Sequence, residues 1–398
     1  METATPKQLR HPSAAAKSKS VCLALTTLCE HPQRRTGLTT YFQGLVKAGL
    51  KLYPNIRWVI FTGRGAEWPI VDDRVTIVRR FPANDRLFQR LWADHMRVPG
   101  VAKQMGADVL LTVGFVPIRK LLPAVMGLFS LQHVDPKNKI GGRRQLYRRF
   151  MTRSGIERAD LLITNSESAA SQTRAVFPKF SGRMLISYDG LDPDQFRPEK
   201  ASNESFELKR QFGIAPGYFL WVSNFYPYKQ AELLLESYSR LDAGLRSAHP
   251  LVMVGGGWNG DSSAVARARA LGIESNVRLL GWIDDRWLAP LYRNAIAFCL
   301  ASREETFGRI VTEAMACGTP CILNDIPIMH EVTAGRAVIV DFCNREQTST
   351  ALRQIAVNRD LHERLRVAGL NRAADFSFEK MARERIDAIL ELLQASDA

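Results

Sequence analysis

No stretch of this 398-residue chain is apolar over the roughly 18 residues that a membrane-spanning helix needs. The longest candidate, residues 121–131, falls well short. Cysteine is sparse, with six residues at Cys22, Cys29, Cys299, Cys317, Cys321 and Cys343. They form neither a metal-ligand spacing with histidine nor a disulfide framework, so reduced thiols are expected. A signal-peptide core with a cleavage site is also missing. The opening METATPKQLRHPSAAAKSKS is polar and reads as a disordered tail over residues 1–19.

Acidic residues are scarce in one half only. Residues 1–200 hold 32 Lys and Arg against 16 Asp and Glu, net +16, while the remainder holds 22 against 24, net −2. A one-sided basic excess points to an anionic partner such as phospholipid headgroups or a phosphate-bearing acceptor. Nucleic acid is not expected, because no basic stretch is interleaved with regularly spaced aromatics.

What is present is an ordinary globular composition, 46% apolar and 24% charged, long enough for two domains. Strand-like apolar runs alternate with helical patterns along the chain, which argues an α/β architecture. Strands are expected at 21–27, 57–61, 76–78, 109–113, 129–132, 161–164 and 184–187. A polar, irregular stretch at 197–216 then marks a boundary. Further strands read at 218–222, 251–254, 277–280, 295–300, 321–323 and 337–340, with tail helices at 346–373 and 377–394.

The most informative stretch is CLASREETFGRIVTEAMACGTPCI, beginning at Cys299. A buried strand ends at Leu300, a polar turn follows, and Ile310, Val311, Ala314 and Met315 sit at helical spacing. Gly318 and Pro320 stop the helix before the next strand. Ligands of open α/β sheets bind at such carboxyl-end loops. Glu305 precedes the helix, Glu313 lies within it, and backbone N–H groups near Phe307 and Gly308 point out of the helix start.

Glu-x7-Glu enclosing Phe-Gly, followed by Ala-Met-Ala-Cys-Gly-Thr-Pro, resembles the signature of retaining GT-B enzymes of glycosyltransferase family 4 (glycosyl transferases group 1). The resemblance covers about residues 20–395. It implies two Rossmann-like domains with parallel sheets facing a cleft. They are an acceptor domain over 20–197, a linker over 198–216 and a nucleotide-sugar domain over 217–375. A C-terminal helix within 376–398 would cross back onto the first domain. The activity it implies is transfer of a hexose from a nucleotide diphosphate sugar to a hydroxyl of a glycan or lipid-linked acceptor. The layout at 85–115 leans to the mannosyltransferase branch, hence GDP-mannose ahead of a UDP-hexose. Other classes remain open: a UDP-glucosyltransferase, a sugar phosphorylase, a nucleotide-sugar epimerase, or a non-catalytic nucleotide-sugar-binding homologue.

The site residues follow by position. Lys229 matches the family lysine that grips the donor diphosphate, but Asn224 stands where the family has arginine. Arg309 is a candidate to compensate. Glu305, Thr306, Phe307 and Gly308 would hold the sugar, Glu313 the ribose hydroxyls, and backbone groups at Ile283 the base, with Trp282 packing. Gly37 is the remnant of a first-domain glycine loop that meets phosphate or acceptor. His133, at a strand's carboxyl end, matches a histidine beside the transferred sugar; a plain loop histidine would look the same. Asp189 replaces the asparagine of the turn before the linker, and Asp tolerates the same conformations. No cofactor is implied. No metal is implied either, since no Asp-x-Asp motif stands at a suitable strand end.

The arginine-laden segment at 143–153 reads as a basic amphipathic helix with Leu146, Phe150 and Met151 on one face. It is either a solvated charged face or a surface that lies on an anionic membrane through weak, salt-sensitive contacts. The expected location is cytoplasmic, peripheral at the inner face of the cell membrane under the second reading. Few exposed apolar anchors are expected.

Overall fold

The computed structural model describes residues 20–30, 37–82, 86–129, 143–256 and 260–397. The expected tail at 1–19 and His133 lie outside the described residues.

Two wholly parallel sheets organise the chain. The first holds β1 (Val21–Thr26), β2 (Ile56–Gly63), β3 (Val75–Phe81), β4 (Val109–Val113), β5 (Ala124–Gly127), β6 (Leu161–Thr164) and β7 (Met184–Ile186), in the order β3-β2-β1-β4-β5-β6-β7. The second holds β8 (Tyr218–Val222), β9 (Leu251–Val254), β10 (Val277–Gly281), β11 (Ala295–Leu300), β12 (Cys321–Asn324) and β13 (Val338–Val340), in the order β10-β9-β8-β11-β12-β13. Each sheet reverses its strand order once, between β1 and β4 and between β8 and β11. A crevice opens at such a reversal.

The strands read as near-continuous apolar runs because helices cover both faces. In β8 the alternation feeds two cores at once: Tyr218, Leu220 and Val222 enter one, Phe219 and Trp221 the other. The first domain is completed by the chain's last helix, Phe378–Asp397, which packs on helix Gly37–Leu52. Its Phe378, Met381, Ile386 and Ile389 share a core with Leu23, Leu25, Phe42 and Leu45. This close approach needs glycine at two places, since a Cβ on Gly44 or Gly190 would collide with the Phe378 ring.

Three expectations are revised. The strand next to β4 is β5, ahead of the one expected at 129–132, whose residues 130–132 lie outside the described residues; Ala124 pairs with Leu110 and Gly127 with Val113. A continuous apolar run offers no periodicity to mark its ends. The boundary stretch contains helix Glu204–Phe212, which ends on left-handed Gly213. Leu208 anchors it in the second domain's core, and Glu204 forms an ion pair with Arg293 at 2.5 Å. The 346–373 helix is two helices, Arg345–Val357 and Arg359–Ala373, divided at Asn358, whose side chain caps the second. Glu331 lies inside helix Pro327–Thr333.

Candidate active site

The loop leaving β11 is held from within. Phe307 is buried, with its ring 5.9 Å from Tyr188 and 5.6 Å from Phe376. Gly308 follows at φ +82, a conformation that costs a residue with a Cβ, and opens helix Arg309–Ala316. With Phe307 as the anchor, the preceding residues are presented at the carboxyl edge of the sheet.

There Glu305 meets Lys229, with Nζ donating to Oε1 at 2.5 Å. Lys229 comes from the loop after β8, on the short 3₁₀ turn Pro227–Lys229. The two loops are stitched by the Arg303 N–H donating to the Tyr228 carbonyl at 2.8 Å. Gln230 closes the turn in the left-handed region at φ +51, a strained setting for a non-glycine residue. Only 10% of the Lys229 side chain and 12% of the Glu305 side chain are exposed. The pair therefore sits at the β8/β11 strand reversal, largely out of water.

Glu313 lies one helical turn past Arg309 and is buried. Burial pushes its carboxyl up to about 7, opposed by the Arg309 guanidinium and a hydrogen bond from Tyr292 at 3.4 Å. The folded chain therefore keeps a proton on Glu313 across a range where the unfolded chain, with an ordinary value near 4.5, has lost it. The resulting stability is fully present below about 4.5 and is lost as pH rises through about 7. Glu313→Gln is expected to raise the melting temperature at pH 8 and to leave it nearly unchanged at pH 4. Thermal melts at the two pH values check this; a lower melting temperature at pH 8 would refute the burial argument.

Arg309 reaches across to the first domain, where Nη1 donates to the Gly37 carbonyl; its Nη2 lies 3.9 Å from Glu313 Oε1. The guanidinium thus spans the two residues and would have to release them to reach a diphosphate. Asn224 follows β8 by two residues and is half-buried. Ile283 faces inward against the second domain's core. Trp282, expected to pack, lies over Gly256, where a Cβ would meet its indole, and leaves its outer side exposed. Gly281 at φ +65 turns the chain so that Ile283 takes the inward position.

Several cleft contacts were invisible in the sequence. Thr306 Oγ1 donates to the Phe129 carbonyl at 2.8 Å, and Ser166 Oγ donates to the Thr306 carbonyl at 2.7 Å. Ser166 also caps its own helix, its side chain accepting from Ala169 N. The Glu331 carboxylate of the second domain accepts the N–H groups of Glu167 and Ser168 at 2.7 and 2.8 Å. A carboxylate there satisfies orphan donors and meets the positive end of helix Glu167–Val176. The domains are thus tied together around the Glu305 loop.

The architecture superposes on sucrose-phosphate synthase from Thermosynechococcus elongatus with a TM-score of 0.77, at 19% identity, covering 94% of this chain and 100% of that one. The fold is GT-B. Residues 205–372, most of the second domain, match the family model of glycosyl transferases group 1. Two curated relatives extend the likeness. D-inositol 3-phosphate glycosyltransferase of Actinosynnema mirum is 28% identical over 259 residues, 62% of this chain and 58% of the relative. O-antigen chain mannosyltransferase B of Escherichia coli is 26% identical over 270 residues, 66% of this chain and 68% of the relative. The matches therefore span between somewhat over half and two thirds of these relatives' lengths.

Proposed function

We propose that this protein is a retaining glycosyltransferase. It moves a hexose from a nucleoside diphosphate sugar to a hydroxyl of a glycan or lipid-linked acceptor, in the cytoplasm. The observation that carries the reading is the Lys229–Glu305 pair at the β8/β11 strand reversal, with Glu313 buried behind it. Such a pair supplies a cation for a departing diphosphate and a carboxylate for sugar hydroxyls. The acceptor hydroxyl attacks the anomeric carbon from the face the diphosphate leaves. The carbon–oxygen bond to phosphate breaks, and the hydroxyl proton passes to the departing phosphate oxygen. Lys229 offsets the charge that builds there, with Asn224 adding neutral hydrogen bonds where the family has arginine. Glu313, once ionised, accepts from the ribose hydroxyls, so donor binding weakens as pH falls below about 7.

Mannose is the favoured sugar and GDP-mannose the favoured donor. The support is the 85–115 layout together with a relative named for mannosyl transfer. Competition of GDP and UDP for the purified protein tests this: GDP should bind more tightly, and tighter UDP would replace mannose by a UDP-hexose. Incubation with the donor tests the chemistry. Transfer or slow donor hydrolysis is expected. Nucleotide-sugar binding without either would make the protein a non-catalytic binder, a reading that the Asn224 substitution favours.

A further inference from the structure

The first domain's surface contradicts the expectation of few apolar anchors. Six of its seven exposed large apolar side chains among the described residues are Phe88, Trp92, Met96, Ile118, Leu146 and Phe150, with Val71 the seventh. Three of them lie on the segment Leu87–Trp92, Ala93–Arg97, Val98–Gln104, whose middle piece is a π turn. Four residues overshoot one α-helical turn but fall short of the wider π turn, so the two drifts oppose each other. Phe88, Trp92 and Met96 therefore stay in one outward row.

His95, buried beside that row, gathers the other elements. Its carbonyl accepts from Arg119 N at 3.2 Å, its Nδ1 accepts from Ile118 N at 3.4 Å, and its Nε2 meets the Tyr147 hydroxyl at 2.9 Å. Tyr147 belongs to helix Arg143–Arg158. This contact also settles how that helix lies. Met151 and Ile156 are buried, while Leu146 and Phe150 are 71% and 67% exposed, so the three apolar residues expected on one face are divided. The three segments thus present one surface.

Its charge is mostly positive. The exposed residues of the 86–104 segment include Arg86, Arg97 and Lys103 and no carboxylate; Asp94 is buried, accepting from Thr26 at 2.7 Å. Arg119 and Arg149 are exposed on the neighbouring segments, while Arg153 pairs at 3.3 Å with Glu157, the single carboxylate of helix Arg143–Arg158. The patch also borders the cleft, because helix Arg143–Arg158 is tied by Thr152 Oγ1 to the carbonyl of Gly114, just past β4.

We infer that this patch seats the protein on an anionic lipid bilayer. The Phe88–Trp92–Met96 row enters the headgroup boundary, and the surrounding arginines and lysine meet lipid phosphates. Apolar side chains ringed by cations match that chemistry. A second copy of the chain would set arginine against arginine across a two-fold interface. A nucleic acid would leave the aliphatic Met96, Ile118 and Leu146 without stacking partners. The inference does not depend on the transfer reading, because its test reads binding alone.

The full chain is sedimented with vesicles of phosphatidylcholine, alone or mixed with phosphatidylglycerol, at low and high salt. Binding to the anionic vesicles at low salt is expected, falling as salt screens the arginines. Phe88→Ser with Trp92→Ser should weaken partitioning about tenfold or more. Leu146→Ser with Phe150→Ser, on a different helix, should weaken it also, and Val71→Ser should not. All these side chains are exposed, so unchanged melting temperatures are expected. Equal binding to both lipids, indifference to both double variants, or lipid-free dimerisation that the double variants abolish would overturn the inference. Loss of vesicle binding with intact transfer to a short soluble acceptor would support it and leave the activity standing.

Discussion

Lys229→Ala and Glu305→Gln are each expected to lower transfer about 100- to 1,000-fold, the usual cost of removing an electrostatic contact made in the transition state. Both side chains sit on loops at the sheet edge, so neither variant should change the fold. The two should differ in kind. Without Lys229, Glu305 is left as a largely buried carboxylate with its ion partner gone, which is itself unfavourable. Glutamine at 305 keeps the shape and a hydrogen bond to Lys229 but gives up the charge. Steady-state rates with saturating donor, alongside circular dichroism, provide the check. Either variant retaining more than about half of the wild-type rate would remove that residue from the chemistry.

Arg385→Met is expected to destabilise the first domain by about 3–5 kcal/mol, the scale for stranding one partner of a buried ion pair. Arg385 belongs to the last helix and is fully buried. It donates to Asp189 at 3.0 Å and to the Ser187 carbonyl at 2.6 Å, with its guanidinium 4.8 Å from the Tyr41 ring and 5.3 Å from that of Phe129. Asp189 also accepts from Asn165 Nδ2 at 3.0 Å. The aspartate at the family's asparagine position is thus the counter-charge for an arginine that arrives from the far end of the chain. Urea unfolding followed by a first-domain probe measures the loss. Arg385→Met with Asp189→Asn should recover part of it, since no unpaired charge then remains. A single-variant loss below about 1 kcal/mol would show that the pair is not what holds the helix in place.

Much of the Glu305 loop was legible because its determinants are local. A buried strand, a short polar turn, a glycine and an amphipathic helix occupy consecutive residues, so Glu305, Phe307, Gly308 and Glu313 could be placed on their elements directly. Lys229 was legible by position after β8, but its pairing was not. It lies 76 residues from Glu305 and meets it only because β8 and β11 are neighbours in the sheet. Arg309 illustrates the opposite limit. Its place at the helix start was readable, whereas its contact with Gly37 joins residues 272 apart in different domains.

By itself, the sequence determined that the chain forms parallel α/β sheets, since strands covered on both faces must be apolar throughout and the helices between them must show one apolar face. It also determined which loop carries the paired acids. Only the tertiary structure decided which polar groups meet across the cleft, and that Asp189 answers Arg385. Only it showed that Phe88, Trp92 and Met96 face outward while Asp94 and His95 are buried. The physical reason is that propensity and periodicity act over a few residues. Burial and charge pairing are settled by whatever the fold brings alongside, and a single π turn is enough to rotate one face of a helix relative to its pattern.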